Sequence, residues 1–210
     1  MLQENDSSKI MIQDVISKNN LNYGISLTGT GITVGNAISR NNEYGLFARQ
    51  VPQINPVNEI TLAGDVTLTN NYYGFATVYT VGTVYVTGNL NSKHNVYGVA
   101  TYAPEFTLVV GGSYSGKSGK SGSGSLTACG NSLYDIDNAG GSITSSGGPS
   151  TFVGSDYTCD TTDGTDLPEC KPCYPGCSSS DPGTGSGRSL SDFVTGDLDF
   201  ANMDHGEFLF

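Results

Sequence analysis

Tryptophan is absent from this 210-residue chain, and charged residues make up only 14% of it. A helical bundle or coiled coil would be rich in Ala, Glu, Lys, Leu and Arg, so the scarcity of charge argues against both. Basic residues are few: nine against twenty acidic ones, a net charge of −11. That balance argues against a nucleic-acid binder that reads phosphates through a basic face. No apolar run approaches the ~18–20 residues of a membrane helix, so no transmembrane segment is expected. The opening MLQENDSSKI has neither an apolar core nor a small-residue cleavage site, and does not read as a signal peptide. Histidine occurs only at His94 and His205, and no G-x-S-x-G elbow lies in a strand-to-helix setting, which leaves little room for a Ser-His-Asp triad.

What is present is glycine (29), proline (8) and tyrosine (12). Charge and cysteine divide the chain. Residues 1–150 hold nine acidic and seven basic residues, whereas residues 151–210 hold eleven and two. Four of the five cysteines also fall late, at Cys159, Cys170, Cys173 and Cys177. Such shifts mark a domain boundary or a tail. The reading is a repeat domain over 1–158, a Cys-rich segment over 159–177, and an acidic disordered tail over 178–210.

One phrase recurs: Asn20-Leu21-Asn22-Tyr23-Gly24-Ile25, Asn41-Asn42-Glu43-Tyr44-Gly45-Leu46, Asn70-Asn71-Tyr72-Tyr73-Gly74-Phe75 and His94-Asn95-Val96-Tyr97-Gly98-Val99. A weaker copy is Asn131-Ser132-Leu133-Tyr134-Asp135-Ile136. A second marker keeps step: Gly35, Gly64 and Gly88 each stand ten residues before the glycine of the phrase, and Asp14 stands ten before Gly24. Between markers lie β-branched runs such as Ile32-Thr33-Val34 and Thr83-Val84-Tyr85-Val86. Each is strand-length and bounded by Gly or Asn, and no window sustains a 3.6-residue apolar period. A repeat of ~21–24 residues with about three short strands predicts an all-β solenoid whose strands stack in parallel at roughly 4.8 Å. His94 stands where the other repeats have Asn, and reads as a turn residue.

The phrase N-x-x-Y-G-[ILVF], followed by a β-branched pair and an Asn-rich corner, resembles the right-handed parallel β-helix repeats of the pectin-lyase-like superfamily, over about residues 8–158. The resemblance implies architecture more than activity, because one fold hosts many functions. A packed repeat array needs a cap at its end, and little chain precedes Asp14. Two readings follow: a cytosolic protein, or a fragment without upstream repeats and an export signal. The second is preferred.

Alternation places Tyr23, Ile25 and Leu27 on one side of their strand, with Tyr44, Leu46 and Ala48, then Tyr73 and Phe75, then Tyr97 and Val99. This side is predicted to face inward, with the tyrosines stacked as a ladder near the corner. The other side carries Ser26, Thr28, Phe47, Arg49, Ala76, Val78, Ala100, Tyr102, Asp135 and Asp137, and is predicted to face solvent.

The resemblance implies that a hydrolase of this fold would cluster carboxylates on one exposed strand face, and glycoside hydrolysis needs two, about 5–10 Å apart. Only Asp135 and Asp137 qualify, two residues and so roughly 7 Å apart on one strand. They lie in the most degenerate repeat and read as a solvated terminal turn. Lyases of the fold use Arg or Lys, often with Ca²⁺. Arg49 projects from the same face, yet no acidic cluster in sequence stands near it to hold a metal. Phe47, Arg49 and Tyr102 are the candidate ligand-binding set, a shallow surface for stacking sugar.

Gly111-Gly112-Ser113-Tyr114-Ser115-Gly116-Lys117-Ser118 satisfies the phosphate-loop pattern after an apolar strand. A real phosphate loop opens a helix, and here flexible Gly-Ser-Lys sequence follows. The stretch 111–125 reads as an inserted loop. Cys159, Cys170, Cys173 and Cys177 fit disulfides best, with zinc and free thiols left open; connectivity is not legible, and Cys129 reads as a buried thiol. A sequon at Asn5-Asp6-Ser7 suits an exported chain. Asp160-Thr161-Thr162-Asp163-Gly164-Thr165-Asp166 lacks the order of an EF-hand and reads as an acidic loop. No cofactor or metal is expected. The resulting expectation is a non-catalytic, extracellular β-helix module that binds polysaccharide or a cell-surface protein, with no nucleic-acid partner. A degenerate or fragmentary polysaccharide lyase or glycoside hydrolase is the alternative.

Overall fold

In a computed structural model, the described residues are 10–29, 31–49, 59–77, 82–111, 124–145, 157–159, 162–164 and 170–173. They form no helix. The strands run β1 (Ile10–Lys18), β2 (Tyr23–Thr28), β3 (Ile32–Arg40), β4 (Tyr44–Arg49), β5 (Glu59–Leu62), β6 (Asp65–Thr69), β7 (Tyr73–Thr77), β8 (Gly82–Val86) and β9 (Asn89–Lys93). Then come β10 (Tyr97–Thr101), β11 (Phe106–Val110), β12 (Ser125–Cys129), β13 (Tyr134–Asn138), β14 (Ser142–Ser145), β15 (Tyr157–Thr158) and β16 (Thr162–Gly164).

Every pairing described is parallel, and each strand pairs with its equivalent in a neighbouring repeat. One sheet has the order β16-β13-β10-β7-β4-β2. The other is ten-stranded, and β3 is its pivot. The first half of β3 pairs with β5 and its second half with β6, while β1 runs along its whole length. Beyond β3 the sheet therefore continues as two files, β5-β8-β11-β14 and β6-β9-β12-β15.

The split falls at the glycine marker. A Cβ on Gly64 would lie 2.6 Å from the carbonyl carbon of Gly35, so the backbones of adjacent repeats touch where the chain bends. Directly after these glycines stands an exposed polar file. Asn36 Nδ2 donates to Asp14 Oδ1 (3.0 Å), Asn89 Nδ2 to Asp65 Oδ1 (2.7 Å) and Ser125 Oγ to Asn89 Oδ1 (2.8 Å).

In-register parallel pairing puts like over like in the core. Ile25, Leu46, Phe75, Val99 and Ile136 form one column. Ile60, Val84, Leu108 and Ile143 form a second, and Ala37, Val66, Leu90 and Leu126 a third. All are buried. At roughly 1.5–3 kcal/mol per fully buried Val, Leu, Ile or Phe, these columns are the main drive to stack.

The corner before each tyrosine is built from two adjacent residues. The first adopts a left-handed backbone: Asn19, Asn41, Asn70 and His94 have φ between 55° and 59°, and Gly130 has 67°. Asn tolerates this conformation better than most residues, and His94 fills the same turn role. The second is asparagine, exposed at Asn20 and buried at Asn42, Asn71, Asn95 and Asn131, and all but Asn131 bond to the next repeat. The backbone N–H and Nδ2 of Asn42 both donate to Asn71 Oδ1 (3.0 and 3.1 Å), those of Asn71 to Asn95 Oδ1 (2.8 and 3.2 Å), and those of Asn95 to Asn131 Oδ1 (3.0 and 3.2 Å). Asn20 opens the column by donating to Asn42 Oδ1. A serine three residues earlier secures three of the corners: Ser17, Ser39 and Ser92 accept from Asn20, Asn42 and Asn95 and donate to the carbonyls of Gly24, Gly45 and Gly98.

Several expectations are revised. The tyrosines form the expected ladder but do not point into the core; Tyr23 is 42% exposed and Tyr44, Tyr73, Tyr97 and Tyr134 are half-buried. Strict alternation does not hold at the first residue after a sharp turn, and a phenol keeps its hydroxyl near water. The opposite side is not solvated throughout: Phe47, Ala76, Ala100, Asp135 and Asp137 are buried, although Ser26, Thr28 and Arg49 are exposed. Cys129 is not a free thiol. It is bonded to Cys173, with Cα atoms 6.0 Å apart, and Cys159 is bonded to Cys170 at 5.4 Å. Cys159 is buried in the core and Cys170 packs against it, so the cysteine segment is joined to the repeats. Strand pairing also continues past residue 158, since β16 pairs with β13, and Ser125, placed in the inserted loop, is the first residue of β12. Residues 112–123, Val78, Cys177, Asp160, Asp166, the Asn5-Asp6-Ser7 sequon and the acidic tail lie outside the described residues.

Candidate functional site

The most distinctive surface is the aromatic column on the six-stranded sheet. Because β2, β4, β7, β10 and β13 pair in register at Tyr23, Tyr44, Tyr73, Tyr97 and Tyr134, their rings stack one per repeat. Ring centroids are 5.2, 5.0, 5.0 and 6.3 Å apart in that order, and the two central pairs are tilted by only 14° and 20°. Strand spacing sets the ring spacing.

Three further rings widen the column. Phe47 lies 4.9 Å from Tyr23 and 5.3 Å from Tyr44. Tyr72 meets Tyr73 edge-on at 4.7 Å and Tyr97 at 5.6 Å. Tyr102 meets Tyr73 edge-on at 6.3 Å. Alanine at 76 and 100, in register with Phe47, keeps this face free of competing bulk.

Two carboxyl groups flank the rings. Glu43 precedes Tyr44 and is 9% exposed; burial raises its pKa, and its charge in turn raises the pKa of Tyr44 and Tyr72. Asp137 Oδ2 accepts from Tyr102 Oη at 2.7 Å. Burial first, and then that hydrogen bond, push Tyr102 far above the usual phenol range. Burial does the same for Tyr44 and Tyr73. The phenols therefore stay protonated donors through neutral and mildly alkaline pH.

The sequence candidates fall as follows. Phe47 and Tyr102 are both on the column but are joined through Tyr44 and Tyr73, and Phe47 is buried beneath its neighbours. Arg49 is exposed at the end of β4, in register with Thr28. Asp135 and Asp137 share β13, and both are buried rather than solvated. Asp135 Oδ1 accepts from the backbone N–H (3.1 Å) and Nδ2 (2.7 Å) of Asn131, and so ends the asparagine column. This explains why aspartate replaces the glycine of the other repeats. In those repeats the space is occupied: a Cβ on Gly45 would lie 2.7 Å from Asn71 Nδ2.

Glu43 and Tyr72 were missed as site residues. The signal was available, since both stand at the variable position between the corner asparagine and the tyrosine. Elsewhere, a shallow depression on the ten-stranded sheet includes Met11, Asp14 and Asn36, but its one carboxylate is engaged by Asn36. Among the described residues, no group of three or more His, Cys, Asp or Glu is placed to hold a metal ion, and no helix is long and apolar enough to cross a membrane. The two disulfides accord with an oxidising setting. Compared with protein-family models, curated proteins and solved structures, the chain finds no match in any of the three.

Proposed function

We propose that the stacked repeats are a stretch of right-handed parallel β-helix of the pectin-lyase-like type, and that the chain is an extracellular, non-catalytic module that binds polysaccharide. The observation that carries this reading is the aromatic column. Seven tyrosines and a phenylalanine gather on one outward face of a sheet. Stacked on one another, the rings turn their edges and hydroxyls outward, and the hydroxyls can bond the oxygens of sugars. Rings held by neighbouring rings lose little freedom on binding, which favours affinity. Both disulfides support an exported chain.

The two carboxylates of β13 support binding without turnover. A general acid or base must reach the proton it moves. Asp135 is buried and occupied by Asn131, and Asp137 by Tyr102. The test is depletion of the protein by insoluble cellulose, chitin, xylan, mannan and pectin, with the supernatants assayed for released sugar. Retention on at least one polymer with no release is expected. Release of reducing or unsaturated sugars would favour the lyase or hydrolase alternative, and no retention on any polymer would remove the reading.

A further inference from the structure

We infer that the outer face of the ten-stranded sheet carries a docking surface for an acidic, extended segment, and that its occupant is this chain's own 192–200. The inference does not depend on the polysaccharide-binding reading. Three observations lead there: a file of cations, an apolar file beside it, and a disulfide that brings the later chain to the end of the cation file.

In-register pairing stacks Lys18, Arg40, Thr69 and Lys93 at the ends of β1, β3, β6 and β9. Lys18 and Arg40 are exposed and Lys93 is half-buried. These cations are three of the five lysines and arginines among the described residues, in a chain of net charge −11. None of the three has an ion-pair partner among the described residues. The carboxylates of the same face, Asp14 and Asp65, stand four residues earlier on their strands and are engaged by Asn36 and Asn89. Parallel stacking holds Lys18 and Arg40 roughly 4.8 Å apart at the backbone. Like charges opposite one another destabilise a sheet, and an anion lying along the file relieves them. Two residues before the cations, on the same side of each strand, runs a second file of Ile16, Ile38, Thr67 and Asn91, which holds no charge. Ile16 is 71% exposed and Ile38 42%. The two files are roughly 7 Å apart, which leaves a track for one extended chain. A segment on that track turns alternate side chains to either file. Asp197-Leu198-Asp199-Phe200 has the matching alternation, with carboxylates for Lys18 and Arg40 and apolar groups for Ile16 and Ile38.

The tether selects the occupant. Cys129 stands in the cation file, in register with Lys93, and is bonded to Cys173. The chain beyond Cys173 therefore starts beside Lys93, four strand spacings or roughly 19 Å from Lys18. Residues 174–191 are mostly Gly, Ser and Pro, and no Lys or Arg follows Arg188. A Gly/Ser-rich chain of that length spans about 23 Å on average. A tether matched to its span gives an effective concentration of roughly millimolar, so weak surface ion pairs suffice for this segment where they would not hold a partner from dilute solution. Asp192 then falls toward Lys93, and Asp197 and Asp199 toward Arg40 and Lys18.

Carbodiimide cross-linking of the whole, oxidised chain at low protein and salt concentration tests this. The reagent condenses a carboxylate with an amine held against it, with net loss of water, and peptide mass spectrometry locates the links. Links from Lys18 and Lys93 to Asp192, Asp197 and Asp199 are expected to outnumber those from Lys171, which is nearer in sequence and which an undirected tail would meet more often. They should be lost at about 1 M salt, where the Debye length is about 3 Å. Arg40→Gln leaves every reactive amine in place and should still lower the Lys18 links about threefold, the loss of one surface ion pair. Dominance of Lys171, no link at Lys18, or indifference to Arg40→Gln would overturn the docking surface. In a mixture of ¹⁵N-labelled and unlabelled chains, links that join one of each would overturn the chain's own segment as occupant and give the surface to a second copy.

Discussion

Replacing Asn71 by alanine removes the middle of the buried asparagine column, and its cost can be worked through. Asn71 is 1% exposed. Its Oδ1 accepts from the backbone N–H and the amide of Asn42, and its Nδ2 donates to the Ser39 carbonyl (3.1 Å) and to Asn95 Oδ1 (3.2 Å). In the alanine variant the backbone N–H of Asn42, itself buried, has lost its acceptor. One such orphan costs roughly 1–3 kcal/mol, and the vacated space adds to it. Asn95 Oδ1 keeps the backbone N–H of Asn71, so its loss is partial. A total of about 3 kcal/mol should lower the melting temperature by roughly 6–12 °C for a chain of this size. Asn71→Asp should do no better at neutral pH: it keeps the donors from Asn42 but sets a carboxylate against two acceptors, Ser39 O and Asn95 Oδ1. Asn20→Ala is the internal control, because Asn20 is exposed and only donates to its neighbours; its cost should stay below about 1 kcal/mol. Urea unfolding followed by circular dichroism decides. Equal losses at positions 20 and 71, or a loss under about 1 kcal/mol at 71, would mean that water reaches the column and that its buried hydrogen bonds do not hold the repeats together.

Asp135→Ala and Asp135→Gly should each cost about 2 kcal/mol, since Asn131 loses the acceptor for its backbone N–H, whereas Asp135→Asn keeps an oxygen there and should cost less than half as much; thermal melts of the three separate a cap from an incidental acid. Removing the Cys129–Cys173 bond with paired serines should destabilise the chain by about 4 kcal/mol on the chain-entropy account, given the sequence separation of 44, and denaturant midpoints measure it. Glu43 has a raised pKa in the folded state, so the native protein binds the extra proton and loses stability as pH rises from the unfolded value of 4.5 through the folded one. Glu43→Gln should therefore be the more stable protein at neutral pH, with the advantage vanishing in acid; a constant difference across that range would show that the carboxyl is solvated.

The sequence by itself determined the repeat, and with it the parallel pairing, because like residues at a fixed period can bury their apolar side only on one another. Tyr23, Tyr44, Tyr73, Tyr97 and Tyr134 announce their own stacking in this way, and His94 announces a turn by standing where asparagine stands elsewhere. Tertiary structure alone decided which way the tyrosines face, because alternation fails at the residue that leaves a left-handed corner. It also decided that Asp135 is a buried acceptor rather than a solvated acid. The need there comes from Asn131, whose donors have no further asparagine to meet, and no property of residue 135 alone reveals it. The pairing of Cys129 with Cys173 was illegible for the same reason: the two cysteines, 44 positions apart, meet in space only after β12 has been laid on β9 and the later chain has returned to the core.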